Sequence, residues 1–392
     1  MRLSSFLQLF YLYQFLHDFI LIYAVDKLFF AQNGLNITNI SVLLSIWAVT
    51  SLVLEVPTGV LADRWNRKYM LILGGLFYAI CYSIWLANPT FIGFLIGFIF
   101  RSLASTFSSG TLQAYIYDFL FEHKKQNLFE RVWGKGRAFN LAGLSLGWVF
   151  GGIVSEHSYW WVLALSSVAG ILSSSIVLFF PNTKNHIAIE ESSPFAFLGK
   201  SLRYAFTHPA LINAFLFTAI VNSSYQVLDE YWSTYFHWLG IPNHAFGILV
   251  AVASICGGLA GMFAHNLKKS SRSTLYKATL FMSTVLLAAT FFKSYIVVIF
   301  LLSFEVVVSI TSVLIEGIIQ KNANNHQRAT LSSVNSMLKE VAVITGLIFG
   351  SVADKYGIQY GYGFFGLFIL LYFVVGKLTN SGRKEINSAT RV

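Results

Sequence analysis

Twelve long apolar runs leave this chain few ways to fold. They lie at roughly 6–30, 38–62, 69–87, 90–121, 132–155, 159–180, 206–237, 243–266, 273–292, 295–320, 328–353 and 359–379. Each comes close to or exceeds the about 20 residues that a helix needs to cross the hydrocarbon core. The longer runs imply tilt, or helix that continues past the bilayer. The chain is 56% hydrophobic and only 11% charged, a balance found in membrane proteins and not in soluble domains. The expected fold is therefore all-α and integral to the membrane, with twelve transmembrane helices.

A net charge of +10 invites a nucleic-acid partner. The placement of the charges argues for topology instead. All of the 27 basic residues but five fall on one side of a twelve-span path. Lys27, Lys293 and Lys355 lie on the other side, and Arg101 and Lys339 lie within spans. The excess of positive charge marks the cytoplasmic side, so both termini are expected there. The first run is long and dotted with polar residues, and it reads as a retained span rather than a signal peptide. Cys81 and Cys256 both sit in apolar runs and read as small core hydrophobes, not as a disulfide or metal site.

The longest polar interruption, from Pro181 to about Lys200, divides the runs into two sets of six. The expected layout is a first half over 1–180, a cytoplasmic linker over 181–205, a second half over 206–380 and a tail over 381–392. The halves echo each other. Gly59-Val-Leu-Ala62-Asp63 is matched by Gly261-Met-Phe-Ala264-His265, and Gly152-Ile-Val-Ser-Glu156 by Gly350-Ser-Val-Ala-Asp354, at nearly one spacing. Two pseudo-symmetric six-helix halves follow, with a solute site between them near mid-membrane.

Between spans 2 and 3 the chain reads Gly59-Val-Leu-Ala-Asp63-Arg64-Trp-Asn66-Arg67-Lys68. This resembles the loop signature Gly-x-Leu-Ala-Asp-Arg-x-Gly-Arg-Lys of the major facilitator superfamily. Asn66 replaces the second glycine, and a left-handed turn residue is expected there. The resemblance implies a charge cluster that latches the cytoplasmic side. Carried over residue by residue, the cluster comprises Asp63, Arg67 and Asp118, and Gly59 completes the expected cytoplasmic gate. Glu316-Gly-Ile-Ile-Gln-Lys321, followed by Arg328-Ala-Thr-Leu-Ser332, resembles the span 10–11 connection of bacterial drug-efflux members. In span 5, Gly143-x-x-x-Gly147-Trp148-x-x-Gly151-Gly152 is similar to the antiporter signature of drug–proton exchangers, with Trp148 in place of proline. A plain packing seam explains the same glycines.

Ionisable residues inside a membrane are costly and face an interior or a cavity. Span 1 carries Gln14, His17 and Asp18. Span 4 carries Arg101, roughly 16 Å in from its outer end at helical rise, and Gln113. Span 7 places Asn222, Tyr225, Gln226 and Asp229 on one helical face. Span 10 carries Glu305, and span 11 carries Asn335 and Lys339. Glu55 in span 2 precedes Pro57, a kink candidate. Asp18, Glu55 and Glu305 are the expected proton-coupling acids. Gln14, His17, Arg101, Gln113, Asn222, Tyr225, Gln226, Asp229, Asn335 and Lys339 are the expected cavity residues. Structural pairing offers a plainer account in which Arg101 neutralises Asp18 and Lys339 neutralises Glu305.

No phosphate-binding loop and no zinc-protease motif occurs, and no cofactor is expected. The expected function is secondary active transport of a small organic solute across the cytoplasmic membrane by alternating access. Proton-coupled export is favoured, with proton-coupled import of a siderophore or anionic metabolite as the alternative. The expected partners are the solute, protons and lipid, with the monomer as the working unit and no role for nucleic acid.

Overall fold

The computed structural model describes residues 3–183, 208–264, 271–322, 331, 334, 335, 338 and 343–389. Among them the regular elements are helical: α1 Leu3–Asp18, α2 Asp26–Gln32, α3 Ile37–Arg64, α4 Arg67–Ala87, α5 Phe91–Ser108, α6 Thr111–Glu122, α7 Phe129–Ser155 and α8 Tyr159–Leu178. The second half continues with α9 Pro209–Phe217, α10 Ser223–Asp229, α11 Trp232–Trp238, α12 Asn243–Phe263, α13 Ser271–Phe291, α14 Tyr295–Asn322, α15 Gly346–Tyr356 and α16 Ile358–Ala389. Ten described stretches are long and apolar enough to cross a bilayer. The other two expected spans are span 1, which is broken, and span 11, which is described in part. The fold is the all-α membrane architecture of twelve helices in two six-helix halves.

The chain divides into two compact units, Met1–Glu191 with Gly240–Val252, and Ser192–Leu239 with Ala253–Val392. In the first, Phe6, Phe10, Leu71, Tyr115, Ile116, Phe119, Val177 and Phe180 form a buried cluster from α1, α4, α6, α8 and the end of the sixth span. Helices α4 and α8 meet along small residues. Ser167 Oγ donates to Ala79 O at 3.0 Å and Ser174 Oγ to Ile72 O at 2.6 Å, while Gly75 and Gly170 let the backbones touch. In lipid, such close packing and interhelical hydrogen bonds replace the hydrophobic drive of water.

Three spans expected as continuous helices are interrupted. Span 1 stops at Asp18, passes an extended Ile20 and a 3-10 turn at Leu21–Ala24, and resumes at Asp26. The freed Ile22 N–H is taken up by Ser166 Oγ of α8 at 3.1 Å. The glycines of span 5 admit this irregular backbone. A Cβ at Gly143 would collide with Phe15 O, and one at Gly151 with Leu21 O. The span 5 pattern is thus a seat for span 1, and α7 runs unbroken through Trp148. Span 4 breaks at Gly110, whose φ of +64° only glycine adopts readily. That break puts Arg101 on α5 and Gln113 on α6. Span 7 breaks twice, at a π turn over Thr218–Asn222 and again between Asp229 and Trp232.

Two further expectations are corrected. Asn66 is not left-handed. It sits at φ −71°, ψ 114° as the N-cap of α4, its side chain accepting from Lys68 N. Capping satisfies an orphan helix donor, so Asn here is chosen for its side-chain oxygen rather than for turn freedom. Cys256 is exposed on α12, whereas Cys81 is buried as expected. Pro57 does lie inside α3, where Thr58 Oγ1 donates to Leu54 O at 2.8 Å beside the interrupted ladder.

Candidate functional site

The break in span 1 places a carboxylate at the end of a half-helix. Asp18 accepts a hydrogen bond from Asn140 Nδ2 of α7. Its neighbour His17 stacks on Tyr13 at 5.2 Å and meets the Tyr78 ring edge-on at 5.4 Å. Tyr78 stacks on Tyr82, whose hydroxyl donates to that of Tyr23 at 3.1 Å. Gln14 is buried one turn below, against Gly136.

Arg101 does not pair with Asp18. Its guanidinium lies 3.9 Å from Asp26 and over the rings of Tyr23, Trp47 and Phe98 at 4.7, 4.9 and 5.6 Å. Asp26 is also joined to Lys27 Nζ at 3.0 Å, and both are buried. Lys27, expected on the outer side, is therefore inside the protein, in the first turn of α2, which begins at Asp26. Rings around a guanidinium supply cation–π attraction that grows as water is removed. The signal available in the sequence was the Asp26-Lys27 dipeptide inside an otherwise apolar run. Nothing in the sequence pointed to Asn140.

In the second unit, Glu305 of α14 accepts from the Tyr225 hydroxyl. Thr218 Oγ1 donates to Asn335 Oδ1 at 2.7 Å, which joins span 7 to span 11. Asn222 is buried, Gln226 is half-buried and Asp229 is exposed. Glu55 and Gln113 are exposed on α3 and α6. Lys339 and His265 lie outside the described residues. The expected Glu305–Lys339 pairing thus falls outside them too.

Beside the turn between α3 and α4, Arg67 forms a buried ion pair with Asp118, as the family resemblance implied. Gly59 is exposed with open space where a Cβ would stand, and the Asp63 side chain is outside the described atoms.

At the other end of the first unit, Glu156 follows α7 and meets the start of α12. Its Oε1 accepts from His244 Nδ1 at 2.6 Å and from His244 N–H at 3.2 Å. Asn243 Nδ2 adds a bond to Ser155 Oγ at 3.3 Å. The side-chain bond from His244, then the backbone one, hold the Glu156 carboxyl below the usual carboxylate range. A carboxyl whose pKa is lower folded than unfolded adds stability above its unfolded value and loses it as pH falls through the folded one. Glu156→Gln is therefore expected to lower the melting temperature at neutral pH. That difference is expected to vanish in acid, as read from paired melting curves against pH.

A family model described as Major Facilitator Superfamily matches residues 9–347. The chain belongs to this superfamily. It is a multi-pass membrane protein, a secondary transporter that works by alternating access and not an enzyme. The melibiose permease of Enterobacter cloacae is 24% identical over 383 residues, covering 91% of this chain and 87% of that one. The MFS-type transporter YxaM of Bacillus subtilis is 18% identical over 374 residues, covering 91% and 92%. The crystal structure of the nucleoside transporter NupG superposes with a TM-score of 0.80 at 14% identity, covering 96% of this chain and 98% of that one. At that identity the likeness is one of fold.

Proposed function

We propose that this transporter carries a small polar organic solute into the cell together with protons, and that Asp18 and Glu305 take and release the proton. The observation that carries the reading is the kind of partner each acid has. Asp18 is held by the Asn140 carboxamide and Glu305 by the Tyr225 hydroxyl. Among the described residues, neither makes an ion pair within 4.0 Å. A carboxyl held by neutral donors can gain a proton without stranding a buried cation.

Uptake is the direction suggested by the melibiose permease, similar along 91% of this chain. Export was suggested by the span 10–11 connection and by the glycines of span 5; the seating of span 1 accounts for the glycines. The basic loops support cytoplasmic termini, and the monomer as the working unit completes the proposal.

The test is accumulation of a solute panel in proteoliposomes under an imposed pH gradient. Uptake is expected with acid outside. Asp18→Asn and Glu305→Gln are expected to lose gradient-driven accumulation while keeping solute exchange at equal pH. Unchanged gradient dependence in both variants overturns proton coupling, and efflux under the same gradient overturns the direction.

A further inference from the structure

Span 7 changes its winding at Thr218–Asn222, a single π turn between α9 and α10. A π turn puts backbone groups out of register, and such turns recur at functional sites. Here the surrounding side chains mend it. Ser223 Oγ donates to Thr218 O at 2.8 Å and reaches Leu338 O at 3.3 Å. Ser224 Oγ donates to Ile220 O at 2.5 Å, and Thr218 Oγ1 is engaged with Asn335.

Asn222 is the exception. It is 2% exposed, and among the described residues neither its Oδ1 nor its Nδ2 has a hydrogen-bond partner. A buried carboxamide left empty on both edges is costly and calls for an occupant. Thr218, four residues before, and Tyr225, three after, lie on the same side of the span. Asn222 therefore stands between the Thr218–Asn335 bond and the Tyr225–Glu305 bond. Beyond Tyr225, with rings 6.1 Å apart, is Trp232. It is 3% exposed, and its Nε1 also has no partner among the described residues.

We propose that Asn222 determines specificity at a solute subsite in the second unit, and that the group it reads is a neutral hydroxyl or amide. A carboxamide presents a donor edge and an acceptor edge side by side. An anion would satisfy Nδ2 and face Oδ1 unfavourably, and a cation would do the reverse. A hydroxyl or an amide both gives and takes, so it satisfies both edges. The faces of Tyr225 and Trp232 suit the apolar face of a ring that carries such groups. This deepens the transport reading, on which it rests, by restricting the solute to uncharged ring compounds bearing hydroxyl or amide groups.

The test uses the purified full chain and tryptophan fluorescence, titrated with matched pairs: galactose against galacturonate, and uridine against uridine monophosphate. A neutral member is expected to bind saturably, and its charged counterpart at least tenfold more weakly. Asn222→Ala is expected to weaken the neutral member at least tenfold. Asn222→Asp keeps the acceptor and loses the donor, and is expected to fall between. Melting curves establish that each variant is folded. Equal binding of the charged members, unchanged affinity in Asn222→Ala, or no binding of any neutral member overturns the proposal. An unchanged affinity would leave a resident water as the partner of the amide. Binding is read without a gradient, so a failure of proton coupling leaves this test standing.

Discussion

Arg67→Ala is expected to destabilise the transporter by about 3–5 kcal/mol, the cost of breaking a buried ion pair from one side. Arg67 is 6% exposed and Asp118 3%. They join the N-terminus of α4 to the middle of α6, two elements that share the aromatic cluster around Phe6 and Tyr115. Removing the cation leaves a buried carboxylate short of its counter-charge, and Asp118→Asn does the converse to the guanidinium. The double replacement Arg67→Met with Asp118→Leu removes both charges. It is expected to recover most of the loss, because an apolar pair of similar volume is often as stable as a buried ion pair. Thermal inactivation midpoints in detergent give the comparison. Single variants within about 1 kcal/mol of the native chain, or a double variant equal to the sum of the singles, would sink this account.

The second large effect is expected at the seat of span 1. Gly151→Ala drives a methyl group into Leu21 O, and Gly143→Ala drives one into Phe15 O. Both obstacles are backbone atoms, which cannot swing aside as a flexible side chain can. Each substitution is expected to cost about 1–3 kcal/mol, as overpacking does. Gly134, on the same helix, has nothing within 4 Å of a built Cβ. Gly134→Ala is therefore expected to gain roughly 0.5–1 kcal/mol from helix propensity. Melting curves of the three variants decide the matter, and Gly151→Ala melting with Gly134→Ala would refute the seat. Asn140 lies one turn before Gly143. Pushing span 1 off α7 there is also expected to loosen the Asn140–Asp18 bond and weaken the proton-driven uptake proposed above.

What the sequence made legible was the part set by composition and periodicity. Apolar runs located the spans. Arg67 and Asp118 were linked because the family resemblance pairs the loop arginine with an acid at the end of span 4. Polar stripes marked spans 7 and 11, but the bond between Thr218 and Asn335 was not foreseen. Less legible were the breaks. Span 1 has no proline or glycine at its interruption. Its cause lies in the glycines of span 5, more than a hundred positions away, and in Ser166, which receives the freed Ile22 N–H. Partners of buried charges were hidden for a similar reason. Depth alone put Arg101 level with Asp18. A helix that stops and restarts moves its side chains off the register that depth assumes, and Asp26 came forward instead. Asn66 shows the same limit at a single residue, since a turn role and a capping role call for the same side chain.

The pairing of Asp26 with Lys27 also has a meaning in time. Both charges precede Arg101 by some seventy residues, so they leave the ribosome before it. Adjacent in the chain, the acid and the amine can enter the bilayer as a self-neutralised dipeptide before their later partner exists. Lys27 bonds its neighbour through both its amide and its ammonium, a closed local unit that needs no other helix to form. The order of synthesis thus favours a pair written side by side, where a folded protein alone would be served equally well by charges far apart in sequence.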